Sequence, residues 1–191
     1  MKKAALFHGT DGTPHDHWFP WLSAELKQYG YQVFAPELPE NHTPNRDIYE
    51  AFLKKSGWDF ADNVLFGHSS GTTTILNLLM ANWFPNIKAA VLVGTFLNEK
   101  LTAAADWYEP GQFDGLFVQE FDTEKIKRKC PKFIFVHGDN DYACDYNDAK
   151  DFCSRLGGSF ITIQNGRHLS SSSGITELPQ IIDEMKKLEL L

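Results

Sequence analysis

The run Gly67-His68-Ser69-Ser70-Gly71 directly follows the apolar segment Val64-Leu65-Phe66 and directly precedes Thr72-Thr73-Thr74-Ile75-Leu76-Asn77-Leu78-Leu79-Met80. The short apolar run reads as a buried strand and the longer one as a buried helix. The five residues between them must reverse direction in one tight turn. Glycine stands two positions to either side of Ser69, where a larger side chain would not fit. A chain with this junction is committed to an α/β layering, with the strand inside and the serine raised above its carboxyl end. The helix that starts after Ser69 presents partial positive charge at its first amides. A developing oxyanion is therefore favoured there, and the backbone N–H of Ser70 is the first candidate donor.

A serine hydroxyl is a weak nucleophile near neutral pH, so it needs a general base and an acid that fixes the tautomer of that base. After an elbow of this kind the expected chain order is serine, acid, histidine. Residues 131–137 read as a buried strand ending in Gly138-Asp139-Asn140-Asp141, which puts two carboxylates on a strand-end loop. Asp139, next to Gly138, is suited to shaping the turn through bonds to following amides. Asp141 stands further out, and spacing alone leaves both open as the orienting acid. Residues 159–163 form the last strand and lead through Gln164-Asn165-Gly166-Arg167 to His168. The first strand ends in His8-Gly9-Thr10-Asp11-Gly12, where the N–H of Thr10 is the expected second oxyanion donor. All these loops lie at carboxyl ends of strands, where open parallel sheets bind ligands.

Strand and helix alternate through the rest of the chain. Trp18, Trp21, Leu22, Leu26 and Tyr29 mark one helical face, closed by Gly30, and residues 31–35 form the second strand. Thr43 as N-cap and Pro44 at the first position predict a helix with Ile48, Ala51 and Phe52 inward. Residues 88–93 give a fourth strand, 145–156 a helix before Gly157-Gly158, and 176–190 a final helix. This order predicts a single α/β domain over residues 1–191, a parallel sheet with helices on both faces.

At 191 residues and 42% hydrophobic content the chain can bury a sizeable core without disulfides. Cys130, Cys144 and Cys153 form no C-x-x-C pair and read as reduced thiols, and no segment has the length of a signal peptide core or membrane span. A cytoplasmic location is expected. A net charge of −7 argues against nucleic acid as a partner. The basic cluster Lys125, Lys127, Arg128, Lys129 and Lys132 reads as the solvated end of a short helix begun at Asp122. His15-Asp16-His17 matches no strong metal-ligand spacing, and Asp139-Asn140-Asp141 lacks the glycine and later ligands of a calcium loop. No phosphate loop or dinucleotide motif is present, so neither metal nor cofactor is expected. His8, His68 and His137 read as residues that hold loop geometry, and Cys144 does not stand on an elbow.

Together with His17-Trp18-Phe19-Pro20-Trp21-Leu22 at the first helix, these motifs resemble the α/β-hydrolase superfamily. Within it they resemble the small serine hydrolases related to retinoblastoma-binding protein 9, bacterial YdeN-like members included. The resemblance spans nearly the whole chain. It implies a six-stranded sheet of order 2-1-3-4-5-6 with a minimal lid or none, and a triad of Ser69, Asp141 and His168. Tyr142 is a departure, because relatives often carry proline or a small apolar residue after the acid.

Residues 95–129 fall where larger relatives insert a lid and carry Phe96, Trp107, Tyr108, Phe113, Phe117 and Phe121. Most of these are expected to pack the segment onto the sheet, with Phe96 and Trp107 the candidates for a substrate pocket. The expected function is hydrolysis of a small ester, thioester or amide, the partner being a small acyl substrate. An interaction module on the same scaffold, with a protein partner and little catalysis, is the alternative from another class.

Overall fold

A computed structural model describes all 191 residues. The strands are β1 Lys2–Phe7, β2 Tyr31–Phe34, β3 Asn63–His68, β4 Ala89–Val93, β5 Phe133–Gly138 and β6 Ser159–Ile163. The helices are α1 Phe19–Gln28, α2 Arg46–Lys55, α3 Ser70–Met80, α4 Thr123–Lys129, α5 Tyr146–Leu156 and α6 Pro179–Lys187. One parallel sheet runs β2-β1-β3-β4-β5-β6, the order that the resemblance implies. All residues of β3 and β4 are buried, as continuous apolar strands in the middle of a doubly covered sheet must be.

Side chains alternate between the two faces of the sheet. Ala4, Leu6, Val64 and Phe66 face one layer, where Leu22 and Leu26 of α1 meet Ile181, Ile182 and Met185 of α6. Ala5, Phe7, Leu65 and Phe135 face the other, against Leu53 of α2, Leu76 of α3, Ile126 of α4 and Phe152 of α5. The segment after β4 adds a small third cluster in which Phe96, Phe113 and Leu116 pack with Ala143 and Cys144. It is tied down by polar bonds as well. Asn77 Nδ2 donates to the Leu116 carbonyl at 2.8 Å, and the Arg46 amide donates to the Gly115 carbonyl at 2.8 Å. Beyond one short 3-10 turn at Thr102–Ala104 this segment has no helix before α4, so no cap domain is built here. No helix is long and apolar enough to cross a membrane.

Strand and helix ends differ from the sequence reading by up to three residues, and three of the differences at helix starts have a clear physical cause. Asn45, not Thr43, caps α2: its side chain accepts from the amides of Asp47 and Ile48, while Thr43 stays exposed. The Arg46 bond to Gly115 draws the start of the helix to this point. Pro179, placed in the first turn, opens α6 three residues later than residue 176, because proline suits a first turn and not an interior. Trp18 is the N-cap residue of α1 and not part of its face, although it is fully buried.

Asn45→Ala should therefore lower stability by about 1 kcal/mol in urea unfolding, while Thr43→Ala changes it by no more than about 0.5 kcal/mol. Equal losses at the two positions would contradict the capping assignment.

Candidate active site

The turn between β3 and α3 is set by contact with β1. A Cβ on Gly71 would stand 2.1 Å from the Phe7 carbonyl oxygen, and one on Gly67 2.7 Å from the Gly71 backbone. Glycine at both positions lets α3 start directly behind the strand. Ser69 between them is held at φ 53°, ψ −124°, a conformation L-residues rarely adopt, with its amide bonded to the Val93 carbonyl at 3.0 Å.

Around Ser69 lies a cleft of about 470 Å³. Thr10 and Asp11 line it from the loop after β1, His42 from the loop after β2 and His168 from the loop after β6. The segment after β4 contributes Phe96, Trp107 and Gln112 among others, and the loop after β5 contributes Tyr142 and Ala143. The expected pocket residues Phe96 and Trp107 thus stand in the same cleft as Ser69. Phe96 is buried and meets Phe113 edge-on at 4.9 Å, whereas Trp107 and Tyr142 are exposed.

The structure separates the two carboxylates of the β5 loop. Asp141, whose side chain is 0% exposed, has Oδ2 2.9 Å from His168 Nδ1 and Oδ1 3.0 Å from the same nitrogen. Asp141 Oδ1 also accepts the amides of Ala143 and Cys144 at 2.8 and 3.1 Å. Asp139 is exposed and accepts the Asn165 amide at 2.7 Å, bracing the neighbouring loop. A carboxylate only accepts, so His168 Nδ1 carries the proton, and Nε2 is the ring nitrogen with the free lone pair when the ring is neutral. Burial alone would raise the Asp141 carboxyl. The hydrogen bond and charge of His168, with the Ala143 amide, outweigh it and hold the group below its ordinary value.

The two expected oxyanion donors are unpaired within the protein: neither the Thr10 nor the Ser70 amide has a protein acceptor. Thr10 Oγ1 donates to Ser70 Oγ at 2.9 Å, which ties the two loops together.

Three further histidines hold this frame. His8 Nε2 accepts the Leu38 amide at 2.8 Å, leaving Nδ1–H for the Gly9 carbonyl, also at 2.8 Å. His68 Nε2–H donates to the His168 carbonyl at 2.8 Å. His137 Nδ1–H donates to the Gly138 carbonyl at 3.1 Å and lies 3.9 Å from Asp141 Oδ2. Cys144 is buried beside the site. Burial first, and the Asp141 charge second, push its thiol well above the ordinary range despite the adjacent Ser69 hydroxyl, so it stays protonated.

The sequence reading missed the acidic mouth of the cleft. His42 Nδ1 lies 2.9 Å from Asp11 Oδ1 and Nε2 3.2 Å from Glu109 Oε2, and these two hydrogen bonds raise the imidazole above its ordinary value. No local pattern links residues from three separate loops. Asp11, adjacent to Thr10, was the only available hint.

A parallel sheet in this order, with a strained serine at the turn after β3, defines the α/β-hydrolase class. Residues 4–187 match the serine hydrolase family, and the chain belongs to it. It is 23% identical to the YdeN protein of Bacillus subtilis (strain 168) over 184 residues, 95% of this chain and 93% of that one. It is also 23% identical to the serine hydrolase RBBP9 of Rattus norvegicus over 181 residues, 94% of this chain and 90% of that one. The crystal structure of the Bacillus subtilis ydeN product superposes with a TM-score of 0.86 at 22% identity, over 98% of both chains. Est1E from Butyrivibrio proteoclasticus gives 0.71 at 16% identity, over 99% of this chain and 87% of that one.

The histidine frame has a consequence for stability. His8, His17, His68 and His137 are all pushed below the ordinary 6.5, with burial the largest cause in each. The unfolded chain binds protons at these sites where the folded protein does not, so stability is complete above 6.5 and declines below it. Exposed His42 opposes this with one group against four. The unfolding free energy in urea should therefore fall steadily from about pH 7 to about pH 5, before the carboxylates titrate. A flat or rising profile over that interval would show that these rings are not buried neutral.

Proposed function

We propose that the protein is an esterase-type hydrolase for small, uncharged carboxylic esters, thioesters or amides, working through an acyl-enzyme. The observation that carries this reading is the Asp141–His168 hydrogen bond, which occupies Nδ1 and leaves Nε2 of His168, a residue of the cleft that Ser69 also lines, for proton transfer. Ser69 Oγ attacks the acyl carbon while His168 Nε2 takes its proton. The Thr10 and Ser70 amides hold the oxyanion, and the leaving group departs with the proton from His168. Water then repeats the sequence on the acyl-enzyme and frees the acid and Ser69. The chemistry needs no cofactor or metal. The three buried free thiols fit a reducing compartment such as the cytoplasm.

Two features of the cleft support a small, uncharged substrate. Without a cap domain, a long acyl chain gains little, because each methylene contributes about 0.8 kcal/mol only when buried. Asp11 and Glu109 at the mouth disfavour an anionic group.

Ser69→Ala should lower ester turnover by about 10⁴ or more, and Asp141→Asn by a loss on the order of 10⁴ in kcat, with folding intact. Asp139→Asn should mainly lower thermal stability. A larger kcat loss at Asp139 than at Asp141 would reverse the assignment of the acid, and near-native turnover by Ser69→Ala would refute the mechanism. Across p-nitrophenyl esters, kcat/KM should be highest for short acyl chains and lower for a terminally carboxylated acyl group than for its neutral counterpart. A steady rise to long chains would show that the segment after β4 forms a deep tunnel.

A further inference from the structure

The His17-Trp18 segment takes no part in the reaction steps, yet one side-chain nitrogen of each residue reaches the loop that carries His168. Trp18 is fully buried, and its indole N–H donates to the Leu169 carbonyl at 3.1 Å. His17 Nδ1 accepts the Ser171 amide at 3.1 Å, and the Ser171 hydroxyl lies 3.1 Å from the same nitrogen. An amide only donates, so this nitrogen is unprotonated and the ring is a neutral acceptor. Burial, the largest influence on His17, and His168 keep it so against the nearby Asp16 carboxylate. The His17 ring also packs edge-on against His68 at 5.1 Å, and His68 in turn holds the His168 carbonyl.

The loop needs such support. Asn165, Arg167 and Leu169 have φ of 54°, 50° and 52°, so His168 stands between two non-glycine residues in the left-handed region. L side chains enter that region at an energetic cost, and such a loop keeps its shape only while its surroundings over-determine it. Leu169 is fully buried, so its carbonyl has no access to water if the indole donor is removed. A displacement of about 1 Å at a reacting group can lower a rate by about 100-fold.

The geometry points to the His17-Trp18 pair as a positioning device for His168: it clamps residues 169 and 171 and so fixes the ring that bonds Asp141. The catalytic part of this inference rests on His168 being the general base. The positional part does not.

Trp18→Phe keeps a buried ring and removes the N–H. His17→Gly removes the acceptor at a backbone of φ 57° that glycine adopts freely, while His17→Asn keeps an acceptor there. Trp18→Phe and His17→Gly should lower kcat by about tenfold or more, with KM within about twofold, and His17→Asn should recover most of the loss. In isotopically labelled protein, the downfield N–H proton that His168 shares with Asp141 should broaden in the first two variants and persist in the third. That signal reads the ring position whether or not the protein turns over esters, so it separates failure of this inference from failure of the catalytic reading. If Trp18→Phe does not fold, the two His17 variants decide alone. Native kcat and an unchanged imidazole signal in His17→Gly and Trp18→Phe, with only a lower melting temperature, would overturn the inference.

Discussion

Everything in the site is referred to the contact between the start of α3 and the end of β1. Gly71 lies so near the Phe7 carbonyl that a Cβ could not be accommodated, and this closeness puts Ser69 at the strand end with an unusual backbone. The same contact brings the loop after β1 alongside the elbow. The Thr10 hydroxyl therefore reaches the Ser70 hydroxyl, and the amides of both residues have no protein acceptor. A parallel sheet gives every strand the same direction, so the loops after β1, β3, β5 and β6 converge at one end. The fold supplies the convergence, and the close packing at Gly71 supplies the accuracy.

The second half of the site is organised by buried neutral imidazoles. His8, His68 and His137 each spend a ring N–H on a neighbouring carbonyl, and burial keeps them uncharged. They brace three strand-end loops without placing a competing cation beside His168. Asp141 is then the only carboxylate bonded to His168, and its other hydrogen bonds come from the Ala143 and Cys144 amides, which orient it. The price of this arrangement is sensitivity to acid, because each buried ring favours an unfolded chain once protons are plentiful.

Much of this was legible in the sequence because its signals are local. The elbow between Val64 and Met80, the carboxylates after Gly138, and the alternation of strand and helix each occupy a short window whose chemistry admits few readings. What stayed hidden depends on tertiary contact. Thr43-Pro44 carries the local marks of a helix start, but Gly115 draws the Arg46 amide into a bond and Asn45 becomes the cap. Trp18 carries the spacing of a helical face, yet its indole serves Leu169 far along the chain. The bridge from Asp11 through His42 to Glu109 joins three loops with no common pattern. Asp139 and Asp141 are both left open by spacing and differ in burial and in which residue of the loop after β6 each one meets.

The central claim is that Ser69, His168 and the Thr10 and Ser70 amides act together on one acyl group. The crystal structure of the protein after reaction with a small fluorophosphonate tests it most directly. The account predicts one phosphonyl group on Ser69 Oγ, its oxygen within hydrogen-bonding distance of both amides and its remaining face towards His168 Nε2. An adduct on another residue, or a phosphonyl oxygen directed to solvent with both amides unengaged, would contradict it.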